Sequence, residues 1–380
     1  MPSTRHPLLA LSLTPGLGPT LTGRLLDLLG SAEAVLGASA ADWGRVKGIA
    51  GDGRLRAALD QVLASDAVER ELAAVAAHGA QLIALGDAAY PRALSHIPDP
   101  PPLLWMRGAL QERDALALAI VGSRRCTAYG REQADRFAAG LAVAGVTIVS
   151  GGAYGIDAAA HGAALRMRPA GGRTVAVIGS GLARPYPKEH APLFDKIVAE
   201  GAGAVLSELP MTFPPSAENF PRRNRILSGM SLGTLLIEAA DRSGALITAR
   251  LCNDEHGREL MALPGRVDSD ASAGCHKAIR EGWATLVTSV GEVLEQLGEA
   301  GQMLKVATGQ ADPAAKAGGA PLFGSLNDPQ RQIMGVLGEA CSLDEVTART
   351  GLPVQNVQVE LTMLEIRGVV KRSGGKFQAK

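Results

Sequence analysis

The stretch that decides the fold is Val146-Thr147-Ile148-Val149-Ser150-Gly151-Gly152-Ala153-Tyr154-Gly155-Ile156-Asp157. An unbroken apolar run here ends in a glycine-rich turn, and a helical pattern follows. Strands covered on both faces have such continuous runs, whereas half-exposed strands alternate. The runs Leu116–Val121 and Thr174–Ile178 also end in glycine. The repetition predicts a doubly wound, mostly parallel Rossmann-like sheet of the α/β class, with right-handed crossovers.

Eight apolar runs are expected to form this sheet, and helical patterns separate most of them. The runs are Gln81–Leu85, Leu116–Val121, Val146–Ser150, Thr174–Ile178, Ala204–Ser207, Thr234–Ile237, Glu259–Ala262 and Thr285–Val287. Together they assign residues 81–297 to one α/β domain.

Two smaller units are predicted to flank this domain. Residues 1–80 read as a helical domain of the SAM or helix-hairpin-helix type, with helices at Leu8–Leu13, Leu21–Leu29, Gly53–Ser65 and Asp66–His78. Residues 298–326 are rich in Gly, Ala and Gln and predict a linker. Residues 327–380 indicate a winged helix. Its elements are helices at Pro329–Leu337, Leu343–Thr350 and Val354–Arg367 and a hairpin that turns at Gly374-Gly375.

Two Gly-x-Gly hairpins lie within the helical unit. The stronger is Thr14-Pro15-Gly16-Leu17-Gly18-Pro19, and residues 46–51 are a weaker echo. Such hairpins can direct backbone N–H groups at a phosphate. Because no Lys or Arg stands beside the first hairpin in the sequence, a tight helix–helix turn or a vestigial helix-hairpin-helix is the favoured interpretation.

The composition is that of a folded protein without an overall charge bias. Of 380 residues 46% are hydrophobic and only 3% aromatic, and 38 basic residues balance 38 acidic ones. Nucleic-acid binding would therefore need local clusters of Lys and Arg. The four cysteines are far apart, which predicts neither disulfides nor a metal site. The apolar run Leu8–Leu13 is too short for a membrane span, so we expect a cytoplasmic protein.

Three glycine-rich turns follow strands of the predicted sheet. They contribute Gly122, Ser123 and Arg124, then Ser150, Gly151 and Gly152, and finally Gly179 and Gly181. In an open parallel sheet these turns all lie at the carboxyl edge, where ligands bind. Glycine lets the backbone approach a ligand closely, and helix N-termini offer N–H groups there. The pattern predicts a phosphate site.

Basic residues are expected at the same edge. Lys188 follows Pro185-Tyr186-Pro187, and the densest cluster is Phe220-Pro221-Arg222-Arg223-Asn224-Arg225. Guanidinium groups bind phosphate in a fork, and an aromatic ring can stack on a base. A solvated helix start paired with Glu208 or Glu218 is the plainer interpretation, but coincidence with the glycine-rich edge favours a polyanion site.

Catalysis finds little support in the sequence. Ser150, Asp157 and His161 could be imagined as a triad, but a helix-start aspartate and a surface histidine explain the last two. Arg184 replaces the third glycine of a dinucleotide fingerprint, and no P-loop is present. We therefore expect neither an enzyme nor a cofactor.

At this point the sequence resembles the DNA-processing protein A (DprA/Smf) family of bacterial natural transformation. Seven motifs in family order carry the resemblance over residues 86–290. They are Tyr90-Pro91-Arg92-Ala93-Leu94, Pro100-Pro101-Pro102-Leu103-Leu104, Gly122-Ser123-Arg124, residues 150–157, Phe220-Pro221-Arg222-Arg223-Asn224-Arg225-Ile226, Ser243-Gly244-Ala245-Leu246-Ile247-Thr248-Ala249 and Leu263-Pro264-Gly265. Departures at Gly274-Cys275-His276 and Gly229-Met230-Ser231 do not touch the predicted phosphate site.

The resemblance implies a homodimer that binds single-stranded DNA and loads the recombinase RecA onto it. It also implies that Arg124 and Lys188 contact DNA. The self-association surface of the family points to Gly274–Gly282, where Ala278 and Ile279 are adjacent apolar residues.

Two other functions remain open. The first is a nucleoside-monophosphate phosphoribohydrolase-like enzyme, although the sequence before Glu238 lacks Pro-Gly-Gly and places this glutamate one residue late. The second is a transcription regulator, with Lys371, Arg372, Lys376 and Lys380 in a DNA-contacting wing. Its third helix carries Glu360 and Glu365 and would be a poor recognition helix.

Overall fold

A nine-stranded sheet forms the centre of the chain in a computed structural model that describes residues 5–298, 301, 328–366, 369–373 and 375–379. The strands are β1 (Ala80–Ala84), β2 (Leu103–Gly108), β3 (Ala117–Val121), β4 (Thr147–Ser150), β5 (Thr174–Val177), β6 (Gly203–Ser207), β7 (Gly233–Leu236), β8 (Glu259–Ala262) and β9 (Thr285–Leu286). Their order is β1-β2-β6-β5-β4-β3-β7-β8-β9. The predicted α/β fold class is confirmed.

The sheet is parallel from β6 to β9, and β2 runs antiparallel to both of its neighbours. All eight predicted runs form strands, with ends shifted by one residue or so. The sequence interpretation missed β2, because this strand starts directly after Pro100-Pro101-Pro102, and prolines usually mark a loop. The five residues of β3 are all buried, as its unbroken apolar run requires.

Helices cover both faces of the sheet. They are α7 (Ala128–Val143), α8 (Ile156–Arg166), α9 (Ala191–Ala199), α10 (Asn219–Gly229), α11 (Ala245–Arg250), α12 (Ala273–Arg280) and α13 (Val290–Gln296). The Thr127 hydroxyl accepts a hydrogen bond from Gly130 N at 3.1 Å and so begins α7. Phe137 of α7 is fully buried in one cluster with Ile148 and Ile156. That cluster fixes α7 and α8 on one face of the sheet.

The direction of winding reverses beside β3. The chain runs outward through β4, β5 and β6 and then returns to β7, which pairs with the opposite side of β3. Helices that follow β3 and β7 therefore leave the sheet in different directions and open a crevice between the carboxyl ends of these strands. This crevice positions the candidate site.

The N-terminal helices pack directly on the sheet. They are α1 (Arg5–Leu13), α2 (Pro19–Leu29), α3 (Ala32–Gly37), α4 (Ala40–Trp43), α5 (Arg54–Leu63) and α6 (Ala67–Ala77). Sequence periodicity could not reveal α3 and α4, because both are shorter than two turns. Leu9 and Leu25 share one hydrophobic cluster with Trp105 of β2. Glu71 of α6 accepts hydrogen bonds from Trp105 Nε1 at 2.9 Å and from Met211 N at 2.6 Å.

The C-terminal unit is a winged helix with its own core, as predicted. Its elements are α14 (Asp328–Val336), β10 (Cys341–Ser342), α15 (Leu343–Thr350), α16 (Val354–Ile366), β11 (Val370–Ser373) and β12 (Lys376–Ala379). Helix α16 lies against α7, and Glu365 forms an ion pair with Arg136 at 3.7 Å. The predicted linker falls almost wholly outside the described residues. In the part of the chain that the structure describes, no helix is long and apolar enough to cross a membrane.

Candidate functional site

A cleft of about 740 Å³, here called the first cleft, lies at the carboxyl ends of β3 and β7. The turn after β3, the start of α10 and the loop before α11 enclose it. Its charged lining consists of Arg124, Arg125, Arg223 and Asp157, so positive charge dominates. The other lining residues are Val121, Gly122, Ser123, Ala153, Tyr186, Pro215, Ser216, Ala217, Phe220, Pro221, Asn224, Leu227, Ser243, Gly244, Ala245, Ile247 and Thr248.

The first glycine turn opens into this cleft. A Cβ atom at Gly122 would lie 2.5 Å from Ile156 Cγ1 and 2.9 Å from the Glu238 carbonyl oxygen, so only glycine fits. Ser123 N donates to the same Glu238 oxygen at 2.7 Å, which fixes the turn. Arg124 follows with an exposed side chain. The turn therefore presents a guanidinium group to solvent from a rigid backbone.

An aromatic pair forms the wall next to Arg124. The Arg124 guanidinium lies 4.9 Å from the ring centroid of Phe220, and the Tyr186 ring lies 5.5 Å from Phe220. Gly179 has a packing role here, because a Cβ atom at this position would lie 2.8 Å from Phe220 Cδ1. A cation and two partly exposed rings are thus brought together from two loops and the start of α10. Cation–π contact of this kind orients the guanidinium group.

Arg223 is buried beneath the second glycine turn. Its Nη1 donates to the carbonyl oxygens of Gly151, at 2.6 Å, and of Val177. Burial lowers the pKa of this guanidinium to about 10, although the carboxylate of Asp157 opposes that shift. Arg223 therefore links the carboxyl ends of β4 and β5 through hydrogen bonds, and it also lines the first cleft.

The other members of the basic run point in different directions, because successive helix residues are about 100° apart. Asn224 lines the first cleft, and the exposed Arg222 lines a neighbouring one. Arg225 is buried and forms ion pairs with Asp99 at 2.9 Å and Glu208 at 2.7 Å. This position corrects the sequence expectation for Arg225, since its charge is already neutralised inside the protein.

The second glycine turn is closed by the chain's own carboxylate. Asp157 Oδ2 accepts hydrogen bonds from Gly151 N and Ala153 N, each at 3.2 Å. Burial raises the pKa of the Asp157 carboxyl, and the charge of Arg223 opposes this. The N–H groups expected to hold a phosphate are therefore occupied, and the expectation of a phosphate cradle at Gly151 is corrected. Gly152 has a φ of 66°, and its carbonyl oxygen lies 2.8 Å from His190 Nδ1.

The third glycine turn is likewise a packing device. Gly181 N donates to the Phe213 carbonyl oxygen at 2.9 Å, and a Cβ atom at Gly181 would clash with the backbone of Pro210 and Met211. Its N–H is therefore not available to a ligand, which corrects the expectation for this residue. Lys188 is exposed two residues beyond Tyr186 and does not line the first cleft.

Of the imagined triad only Asp157 lines the first cleft, because Ser150 and His161 are fully buried, and the expectation of a surface histidine at position 161 is therefore wrong. The Ser150 hydroxyl donates to the Ile120 carbonyl oxygen at 2.7 Å, and His161 Nδ1 lies 2.7 Å from Thr174 Oγ1. Burial lowers the pKa of His161 to about 3. Glu238 accepts hydrogen bonds from Thr127 N at 2.8 Å and Thr127 Oγ1 at 2.5 Å, so its carboxylate caps α7. Each group has a structural partner outside the cleft.

Sequence reasoning missed several polar residues of the first cleft. The sequence marks Tyr186 only as a neighbour of Lys188, and it marks Ser243, Gly244 and Thr248 only as part of a family motif. The motif is separated from the end of β7 by several residues, so the rule that ligands bind directly after a strand could not find it. The occurrence of this segment among the motifs shared with the family was the one indication in the sequence that it could belong to the site.

The two residues expected at a dimer surface differ. Ala278 is fully buried in the core of the sheet and cannot contact a partner, which corrects that expectation. Ile279 is half-buried and packs against the same core from α12. One face of Ile279 remains open to solvent.

Comparison with known proteins identifies the family. The model of the DNA recombination-mediator protein A family matches residues 81–298, and that of the DprA winged helix domain matches residues 313–376. The chain belongs to the DNA recombination-mediator protein A family. Over 289 residues it is 40% identical to Protein Smf of Escherichia coli K12, a match that covers 76% of this chain and 74% of that protein.

Solved structures of the family agree with the fold. The X-ray structure of DNA processing protein A from Streptococcus pneumoniae is 34% identical, with a TM-score of 0.65, and covers 78% of this chain and 98% of that one. A structure of DNA processing protein A from Helicobacter pylori is 29% identical, with a TM-score of 0.50, and covers 57% of this chain and 95% of that one. The latter structure is described as giving insight into a single-stranded DNA binding mode.

Proposed function

We propose that the first cleft binds single-stranded DNA without chemical conversion. The observation that carries the proposal is the Arg124 guanidinium 4.9 Å from the centroid of the Phe220 ring, with Tyr186 beside it. A guanidinium binds phosphate in a fork, and an aromatic ring stacks on a base. Both contacts of a single strand are thus offered at one place.

The aromatic wall favours a single strand over a duplex. Bases in a duplex are stacked on each other and turn only their edges outward, so a protein ring cannot reach their faces. The single-stranded DNA binding described for the Helicobacter pylori relative supports the same choice. We assign direct contacts to Gly122, Ser123, Arg124, Phe220 and Asn224.

Other predicted residues take supporting roles in this proposal. Lys188 is exposed close to Tyr186 along the chain and would meet phosphates that leave the cleft. Ser150, Gly151, Gly152, Gly179, Gly181 and Arg223 hold the turns and the Phe220 ring in place. No cofactor or metal has a part in this mechanism.

The test is fluorescence anisotropy with labelled single-stranded and duplex oligonucleotides over a salt series. The single strand is expected to bind more tightly, with affinity that falls as salt rises because counterions are released. Phe220→Ala should weaken single-strand binding by about 1–3 kcal/mol. Leu28→Ala, which removes an exposed apolar side chain elsewhere, is the control. Equal affinity for both DNA forms, unchanged by Phe220→Ala, would refute the proposal.

Membership of the family further leads us to propose that the chain acts in the cytoplasm as a homodimer that loads RecA onto the bound strand. The half-buried Ile279 on α12 is the candidate partner contact. Ile279→Glu should produce a monomer in light scattering with an unchanged circular dichroism spectrum, because a charge would be buried in the interface. The RecA step is tested by the rate at which RecA assembles on labelled single strands with and without the protein.

The alternative functions gain less support. A phosphoribohydrolase would need the Glu238 carboxylate in the cleft, but that carboxylate caps α7 through Thr127. A transcription regulator would need its third helix free to enter a groove, whereas α16 lies against α7. The structure gives no observation among the described residues that favours either alternative over single-strand binding.

A further inference from the structure

A second cleft, of about 860 Å³, adjoins the first one. The Thr14–Pro19 hairpin and α6 form one wall, and the Leu209–Pro214 loop with the start of α10 forms the other. Its exposed cations are Arg70 and Arg222. The hairpin had no basic neighbour in the sequence, and the fold supplies one from more than 200 residues away.

The two clefts share a ridge formed by the first turn of α10 and the loop before it. Arg223 lines both clefts, and Asn219 and Arg222 face the second while Phe220 and Asn224 face the first. The loop before α10 also contributes to both clefts, since Pro214 lines the second cleft and Pro215 lines the first. A chain-like ligand that leaves the first cleft over this ridge would enter the second.

The second cleft repeats the chemistry of the first. Phe213, with 39% of its surface exposed, gives an aromatic face on its rim, and Arg222 gives a solvated guanidinium group. The acids in its lining are already engaged, because Glu71 accepts from Trp105 and Met211 and Glu208 pairs with Arg225. Arg70 forms an ion pair with Asp66. Among the described residues, Arg222 therefore contributes an exposed charge of the lining that forms no ion pair, whereas Glu71 is buried.

The walls are held in place before any ligand arrives. Glu71 connects α6 to the loop through Met211 N at 2.6 Å, and Phe213 O accepts from Gly181 N at 2.9 Å. Ala183 N donates to the Met211 carbonyl oxygen at 2.9 Å. Preorganised walls reduce the ordering cost of binding.

We infer that the second cleft binds the segment of single-stranded DNA that continues from the first cleft across the α10 ridge, with Arg222 on its phosphates and Phe213 under a base. This inference rests on the proposed function of the first cleft. It gives the N-terminal helices a part in DNA binding and makes the binding site longer than the Rossmann-like cleft alone.

The experiment compares short and long labelled oligothymidylates, of about 6 and about 20 nucleotides, by anisotropy with the full-length protein. Arg222→Glu should weaken binding of the long strand at least about tenfold at low salt and change the short strand less than about twofold. Arg222→Ala should lower the salt slope by about 0.7, again for the long strand only. Phe213→Ala should cost about fivefold or more on the long strand.

Arg54→Glu is the matched control, since Arg54 is an exposed arginine of the N-terminal helices outside both clefts. It should change neither strand more than about twofold at the same salt. Equal losses on both lengths in Arg222→Glu would place Arg222 in the first cleft and overturn the inference. Unchanged long-strand binding in Arg222→Glu and Phe213→Ala would also overturn it. Wild-type protein that binds neither length would instead remove the proposed function, and this inference with it.

Discussion

The first and second glycine turns follow adjacent parallel strands, and both begin with glycine directly after a buried apolar run, yet their surroundings differ. After β3, Ser123 N is the donor that fixes the turn, and Arg124 projects into an open cleft. After β4, the Asp157 carboxylate occupies Gly151 N and Ala153 N, and Arg223 seals the turn from below. The first turn opens into the first cleft, and the second is closed by side chains of the protein itself.

The difference shows that a glycine-rich turn after a strand has a backbone geometry that can accept an anion, but the turn alone does not make a ligand-binding site. An aspartate at the start of the following helix can fill the same place as a phosphate, because a carboxylate also suits the N–H groups and the helix dipole. Asp157 is this internal anion. The segment from Gly122 to the start of α7 contains no acidic residue and carries Arg124 and Arg125, while the carboxylate that accepts from the start of α7 is that of Glu238.

The largest effect that would sharpen this comparison concerns the stability of the second turn. Arg223→Met should lower the free energy of unfolding by about 3–5 kcal/mol, because it leaves the Asp157 charge and the carbonyls of Gly151 and Val177 without their buried partner. Urea unfolding measures it. Arg222→Met, an exposed neighbour, should stay within about 0.5 kcal/mol. Equal losses in the two variants would show that the second turn is not sealed by Arg223.

The next effect is a pH dependence of stability beyond the second turn. Burial places the pKa of His161 on α8 at about 3, below the ordinary value of 6.5. The unfolded chain therefore takes up a proton first, so His161 stabilises the fold above pH 6.5 and this stability is lost as the pH falls. Between pH 7 and 4.5 the loss should be about 2–3 kcal/mol.

His161→Gln tests this dependence by urea unfolding at several pH values. The variant should lose less stability than wild type over the same pH interval, whatever its stability at pH 7. His78→Gln, which removes an exposed imidazole, controls for the substitution itself. If His161→Gln and wild type lose stability in parallel, the histidine is not sealed from protons in the way its burial implies.

The smallest effect compares the two turns in DNA binding. Arg124→Ala should weaken single-strand binding about tenfold, or about 1.4 kcal/mol, and lower the salt slope by about 0.7. Ser150→Ala should leave affinity within about twofold, since its hydroxyl is bonded to Ile120 inside the sheet, and should cost about 1 kcal/mol of stability. Fluorescence anisotropy measures the DNA affinities, and urea unfolding measures the change in stability. A reversed order of the two affinities would break the comparison.

Local patterns predicted much of this protein. Eight of the nine strands of the main sheet and most helices of the two flanking units agree with the sequence prediction, because burial on both faces leaves an unbroken apolar run and a helix leaves a 3.6-residue period. The strand Leu103–Gly108 was not predicted, because three prolines directly precede it and indicate a loop. The motif residues that now lie in the first cleft, Gly122, Arg124, Phe220 and Asn224, were all named from the sequence.

The roles within the run Arg222–Arg225 could not be predicted. The three arginines are alike in sequence, but one is exposed, one is bonded to carbonyl oxygens of two strand ends and one is paired with Asp99 and Glu208. Asp99, Gly151 and Val177 lie far away along the chain, and among the actual partners the sequence suggested only Glu208, without indicating which arginine it binds. Only the fold brings them within hydrogen-bond distance and decides which charge remains for a ligand.

The sequence by itself determined the fold class, the family and the edge of the sheet at which the first cleft lies, since each depends on the order of residue types along the chain. The tertiary structure decided which turn is open, which arginine is exposed and that the Thr14–Pro19 hairpin lines the same cleft as Arg222. The physical reason is that desolvation and hydrogen-bond saturation depend on distance in space, and sequence separation does not fix that distance.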